Sequence, residues 1–155
     1  MSFIQILPEG GLTAIHTAAK TRLGALHQTD NGYIYRYVKN AAASATLADG
    51  NVVCYTNTDW EVTVDYSDAV VKKAAGIAVS ALLVSNFGWI LVDGAHGTVW
   101  TDAGVAAGDG LVAHTVDGEA DSVVTTTEGY LVFGFAETAD TTTDQHTVAA
   151  QIRAL

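Results

Sequence analysis

Residues 74–92 read AAGIAVSALLVSNFGWILV: nineteen positions without a charged side chain, preceded by Lys72 and Lys73 and followed by Asp93. As one helix the stretch would extend about 28 Å, close to the thickness of a bilayer's hydrocarbon core, and the lysine pair would satisfy the positive-inside rule. A buried helix is the second option. Against both, Ser85-Asn86 and Gly88 interrupt the run near its middle, where a turn fits better than a span, and Ile, Val, Phe and Trp dominate its flanks. Read as two strands, residues 76–84 and 87–92, it has two apolar faces, with Ile77, Val79, Ala81 and Leu83 on one and Ala78, Leu82 and Val84 on the other. A strand apolar on both faces has to be covered on both sides. A hairpin at the centre of a β domain, covered by the rest of the chain or by a second subunit, meets that demand.

Outside this stretch the pattern is also that of strands and turns. Asp30-Asn31-Gly32 is a turn signal, and Tyr33, Tyr35 and Tyr37 then alternate with Ile34, Arg36 and Val38 to give a strand with an aromatic face. ADGNVVCYTN (48–57) repeats the logic with a turn at Asp49-Gly50, and WEVTVDY (60–66) alternates Val62, Val64 and Tyr66 against Glu61, Thr63 and Asp65. SDAVVKKAAG (67–76) admits one helical turn, with Ser67 as N-cap and Gly76 as stop. Further on, DGAHG (93–97), AAGDG (106–110) and DGEAD (117–121) read as turns. TVWT, LVAHTV, SVVTTT, EGYLVFGFAE and HTVAAQIRAL read as strands, with a polar loop over 137–145. Turns at intervals of about eight to twelve residues mark an all-β sandwich or barrel. The expected fold is therefore mainly β: a single compact β-sandwich or β-barrel over residues 21–155, with an irregular N-terminal arm over 1–20 and little helix. Residues 12–20 admit either a short helix or an ordered arm.

At 155 residues the chain is one domain's worth, able to bury about two thirds of its unfolded surface without staples. Cys54 is the single cysteine, and MSFIQILPEGG lacks the basic and apolar regions of a signal peptide, so synthesis and folding in a reducing cytosol are expected. A net charge of −10 argues against nucleic acid, whose phosphates demand clustered Lys and Arg. The charge is uneven: six of the seven bases lie in the first 73 residues beside seven acids, whereas residues 74–152 hold ten acids and no base. Such an acidic shell suits solubility and matching to a basic surface.

The inventory for chemistry is sparse. His16, His27, His96, His114 and His146 match no metal-binding spacing, and His96 and His114 read best as solvated loop or strand-end residues. Cys54 reads as a small core residue. No nucleotide-binding glycine motif or GxSxG is present. Asp117, Glu119 and Asp121 offer hard oxygen ligands for Ca²⁺, though an exposed acidic turn is the simpler reading. Trp60, Trp89 and Trp100 would serve a sugar-stacking platform, but more often such residues are core or interface anchors. No catalytic residue, cofactor or metal is assigned.

TRLGALHQTDNGYIYRYVKNAAASATLADGNVV (21–53) resembles the small decoration, or capsid cement, proteins of tailed bacteriophages. The likeness continues through AAGIAVSALLVSNFGWILVDGAHGTV (74–99), VAAGDGLVA (105–113) and VFGFAETADTTTDQHTVAAQIRAL (132–155). It implies a non-enzymatic virion protein made in the host cytoplasm and carried on the outer capsid surface. Such a protein is expected to be a homotrimer that binds the major capsid protein at three-fold or quasi-three-fold positions and stabilises the head, with neither membrane nor nucleic acid as partner. The apolar arm residues Phe3, Ile4, Ile6 and Leu7 are the expected capsid contact, and Trp89 and Trp100 the expected subunit contact. The alternative is a carbohydrate-binding β module of a phage fibre or spike.

Overall fold

The computed structural model describes residues 10–41, 43–56, 59–67, 69, 73–102, 104–123, 131–140 and 146–154. Its strands are β1 (Leu26–Gln28), β2 (Ile34–Asn40), β3 (Val52–Tyr55), β4 (Glu61–Thr63), β5 (Ala74–Ala78), β6 (Phe87–Trp100), β7 (Gly110–Ala113), β8 (Ala120–Ser122), β9 (Gly134–Ala136) and β10 (Thr147–Arg153). Residues 12–20 form an irregular segment tied to the barrel by a bridge between His16 and Phe87, not a helix. Among the described residues no helix is long and apolar enough to cross a membrane.

Five strands close on themselves. β2 pairs with β4, β4 with β3, β3 with β5, β5 with β6 and β6 again with β2, every pair antiparallel except β2–β4. Closure leaves no free edge among these strands and encloses a cylinder narrow enough for side chains to fill. Val38, Val53, Val62, Val64, Ala75, Ala78, Ile90 and Val92 fill it, and Leu47 and Leu82 join the same cluster.

β6 runs on beyond the barrel. Its second half pairs with β10, from Asp93 opposite Arg153 to Trp100 opposite Thr147, and the sheet continues through β9 and β7 to β8. This extension packs over the outside of the barrel. Val52, Ala74, Ile77 and Leu91 from the barrel's outer face meet Val99, Leu111, Phe133, Val148, Ala150 and Ile152 of the extension in a second core.

Residues 74–92 therefore form an antiparallel hairpin, with Ile77 opposite Leu91 and Ala78 opposite Ile90. All five residues of β5 are buried, and alternate faces serve different cores: Ala75 and Ala78 point into the barrel, Ala74 and Ile77 toward the extension. The chain itself supplies cover on both sides. The first strand ends at Ala78, earlier than residue 84, and the connection is a loop over 79–86. Leu82 plugs the barrel from this loop, held by Leu82 C=O accepting from Leu47 N–H and from Asn40 Nδ2, both at 2.9 Å. Leu83 and Val84 stay exposed.

Two expected turns or stops are strand instead. Gly76 lies inside β5, because a Cβ there would come within 2.5 Å of Leu91 O; the glycine admits a close strand, not a helix end. DGAHG lies inside β6, where Gly94 lets the Tyr33 ring sit against the backbone and the register with β10 shifts between Val148 and Ala150.

Ile77 and Ile90 occupy opposite faces and are both essentially sealed. Ile77→Ala and Ile90→Ala should each lower the unfolding free energy of the isolated chain by about 2–5 kcal/mol in urea titration. A loss confined to one of them would mean that the chain encloses only one face.

Candidate functional site

Three places gather chemically capable side chains. The first is polar and sits where β8 meets the end of β6. A parallel bridge between Thr101 and Ala120 brings Asp102 beside β8, and the β7–β8 hairpin sets His114 across from Glu119 and Asp121. One ligand atom each from Asp102, His114 and Asp121 lies within 4.8 Å of the others. His114 Nε2 stands 3.7 Å from Asp102 Oδ2 and 3.9 Å from Asp121 Oδ2. His146 pairs with Asp140 at 2.7 Å nearby.

The donor set suits a transition metal better than Ca²⁺, but the imidazole is turned the wrong way for it. His114 Nδ1 accepts the Val116 N–H at 3.2 Å, so the neutral ring carries its proton on Nε2, facing the two carboxylates. A metal on Nε2 would drive that proton to Nδ1, against the Val116 N–H, whereas ligating histidines ordinarily donate from that nitrogen to an acceptor. The His114 Nε2–H therefore faces two aspartates from 3.7 and 3.9 Å, an electrostatic contact longer than a hydrogen bond. The neutral His96 ring is fixed the same way, with Nδ1 accepting from Thr98 N–H at 3.2 Å and Nε2 donating to Asp49 Oδ1 at 3.1 Å; it stands in β6, not in a loop.

DGEAD does not act as one ligand set. Asp117 Oδ1 accepts from Tyr66 N–H at 3.1 Å, Asp121 Oδ1 from Ser122 N–H at 2.6 Å, and Glu119 faces Asp102. Burial, and then the Asp102 carboxylate, raise the Glu119 carboxyl above the ordinary glutamate range, against the opposing pull of His114 and His146.

The second place is aromatic and enclosed. Trp89 is 2% exposed, its ring 5.1 Å from Tyr37 and 5.9 Å from His27, and His16 Nδ1 lies 2.8 Å from Tyr37 Oη. This cluster fastens β1 and residues 12–20 onto β2 and β6. The burial of Trp89 is thus supplied by its own chain. Trp100 is half-buried and donates from Nε1 to Asp49 O at 2.9 Å, beside Gly50, where a Cβ would strike Thr98 O. Trp60 lies elsewhere, against Tyr55 and Arg36, so the three indoles engage three separate sets of neighbours and form no shared platform. Cys54 is buried.

The third place is the end of the barrel where Arg36, Tyr55 and Trp60 meet: Arg36 Nη1 donates to Tyr55 Oη at 2.7 Å, and Arg36 Cζ stands 4.8 Å from the Trp60 ring centre. Sequence reading missed this trio. Its signal was the arginine in YIYRYV, a charge on the alternating face that enters the barrel. Near Gly88 at the opposite end, Ile15, Leu83 and Val84 are exposed. Phe3, Ile4, Ile6 and Leu7 lie outside the described residues.

No protein-family profile matches the chain, and no curated protein does. Among solved structures, it is similar to the N base of the head fiber gp8.5 of bacteriophage phi29, with a TM-score of 0.53 and 15% identity over 79% of this chain and 95% of that one. At that identity the likeness is one of fold.

The raised Glu119 carboxyl has a direction that can be tested. A carboxyl raised in the folded state gives a contribution fully present below its unfolded value and lost as pH rises through the folded one. Glu119→Gln should therefore melt higher than the unmodified chain at about pH 7 and close to it at about pH 3.5, below the ordinary glutamate value. Thermal unfolding at the two pH values checks this.

Proposed function

We propose that this chain is a non-catalytic structural protein of a phage head, carried on the outer capsid surface and bound to the major capsid protein. The observation that carries the reading is the fold likeness to a phage head-fiber base, which agrees with the resemblance read from the sequence. The sequence resembles the capsid decoration proteins, and the fold is similar to a head-fiber base along most of both chains. The polar cluster is consistent with a structural role: His114 Nε2 stands 3.7 Å from the Asp102 carboxylate and 3.9 Å from that of Asp121, where β7 and β8 meet the end of β6.

In this reading the protein is a homotrimer at three-fold or quasi-three-fold positions. The arm over residues 2–10, with Phe3, Ile4, Ile6 and Leu7, grips the capsid, and Trp100 lies toward the neighbouring subunit. Ile15, Leu83 and Val84, exposed on the described surface, would extend the apolar contact made by the arm. Stabilisation of the head is then mass action. A protein that binds only the assembled lattice adds RT ln(1 + [L]/Kd), about 2.7 kcal/mol per site at a hundredfold excess over Kd.

Copy number on purified particles tests this, with the full chain and a chain lacking residues 2–10 compared side by side. The expected result is a stoichiometry matching the local three-fold sites for the full chain, and a folded but poorly retained truncated chain. Absence of the full chain from particles would end the reading, and undiminished retention of the truncated chain would remove the arm from it.

A further inference from the structure

Arg36 enters the barrel end from β2, on the same face of the strand as Val38, and is held on two sides. Tyr55 Oη accepts from its Nη1 at 2.7 Å, and the Trp60 ring covers the guanidinium with the centroid 4.8 Å from Cζ. Among the described residues it has no carboxylate partner, and its Nε is buried without an acceptor. A guanidinium offers five donors in a rigid fork that matches a carboxylate, and here most of that fork is unused.

The cover over it is unusual. Trp60 has φ of 61°, a conformation rarely adopted by a bulky residue, and is 37% exposed. Its ring lies so close over Gly24 that any Cβ there would meet it, while Tyr55 meets it edge-on at 5.8 Å. The indole is thus pinned over the arginine from two sides. Lys39 N–H donates to Trp60 O at 3.1 Å, and the Lys39 ammonium is used up on Glu61 at 2.6 Å. Arg22 is exposed two residues before Gly24.

Along the sequence, Arg36 lies in the most basic stretch of the chain, while Trp60 stands between Asp59 and Glu61, the latter paired with Lys39. Residues 20–40 hold Lys20, Arg22, Arg36 and Lys39 against one acid, Asp30, in a chain whose net charge is −10. Solvent-facing Trp beside Arg is also the composition that dominates binding energy at protein contacts.

We infer that the Arg36–Tyr55–Trp60 end of the barrel receives an acidic side chain from a segment of a partner protein. The carboxylate takes the free edge of the guanidinium and the Tyr55 O–H, while the indole packs against the aliphatic part of the incoming residue. That the segment belongs to a protein rests on the function proposed above; the carboxylate preference rests on the geometry alone.

Two-dimensional NMR of the full chain tests the site, reading the Trp60 indole N–H and the Arg36 Nε–H while pentaglutamate is added, with pentalysine and inorganic phosphate in parallel. The expected result is a saturable, salt-sensitive shift of both signals with pentaglutamate, none with pentalysine, and a much weaker response to phosphate. Arg36→Lys, which keeps the charge and loses the fork, should weaken pentaglutamate binding at least tenfold. Tyr55→Phe, which removes one hydroxyl and leaves the ring in place, should weaken it severalfold and serves if the lysine variant fails to fold. Unmoved signals at saturating pentaglutamate, or phosphate binding as tightly, would overturn the inference. Retention on particles separates it from the function proposed above: an Arg36→Lys chain retained in full copy number overturns the inference alone, whereas a wild-type chain absent from particles overturns the function.

Discussion

The structure depends on a pair of strands that must be kept from water on both faces. β5 and the first half of β6 carry apolar side chains on either side, and burying only one set would leave the other exposed. Closing a barrel solves the inner face, where Ala75, Ala78, Ile90 and Val92 meet Val38, Val53 and Val62. Folding the β10–β9–β7–β8 extension back over the barrel solves the outer face, where Ile77 and Leu91 meet Phe133, Val148 and Ile152. β6 makes both solutions possible, since its 14 residues belong first to the barrel and then to the extension.

Much of this was legible in the chain itself. The uncharged run with a polar interruption reads as a hairpin buried on both sides, and the hairpin is there, with Ile77 in one core and Ala78 in the other as alternation requires, and with Val79 and Leu82 joining those cores from the loop that follows. Asp30-Asn31-Gly32 and Asp49-Gly50 mark real turns because glycine there takes a positive φ, 88° at Gly32 and 87° at Gly50. The same dipeptide logic fails at DGAHG. There Gly94 serves a close contact inside a paired strand whose register with β10 shifts nearby, and local sequence does not distinguish that use from a turn. Leu83 and Val84 extend the apolar pattern past the strand, since periodicity records hydrophobicity and not pairing. The parallel β2–β4 contact that closes the barrel joins Lys39 with Glu61 and Asn40 with Val62, and no local signal announces it.

The same distinction applies to the polar groups. Histidine spacing gives no hint that Asp102, His114 and Asp121 converge, because a bridge and a hairpin bring them together from separate segments. Once they are together, the direction of a single backbone N–H at Val116 fixes the neutral imidazole with its Nε2–H toward the two carboxylates. Arg36 is the reverse case, a residue visible in the sequence as an interruption of an aromatic strand, whose meaning appears only with Tyr55 and Trp60 around it. Its unused donors leave the barrel end open to an outside acceptor, while the enclosed Trp89 cluster holds the fold together.

The central claim is that this single chain supplies the cover on both faces of β5 and β6, with no help from a neighbour. Native-state hydrogen exchange on the protein, followed across a dilution series that includes the monomer, tests it directly. Amides of Ile77, Ala78, Ile90 and Leu91 should be among the slowest to exchange and equally slow at every concentration. Protection of those amides that falls on dilution would show that a second subunit covers one face, and would contradict the account.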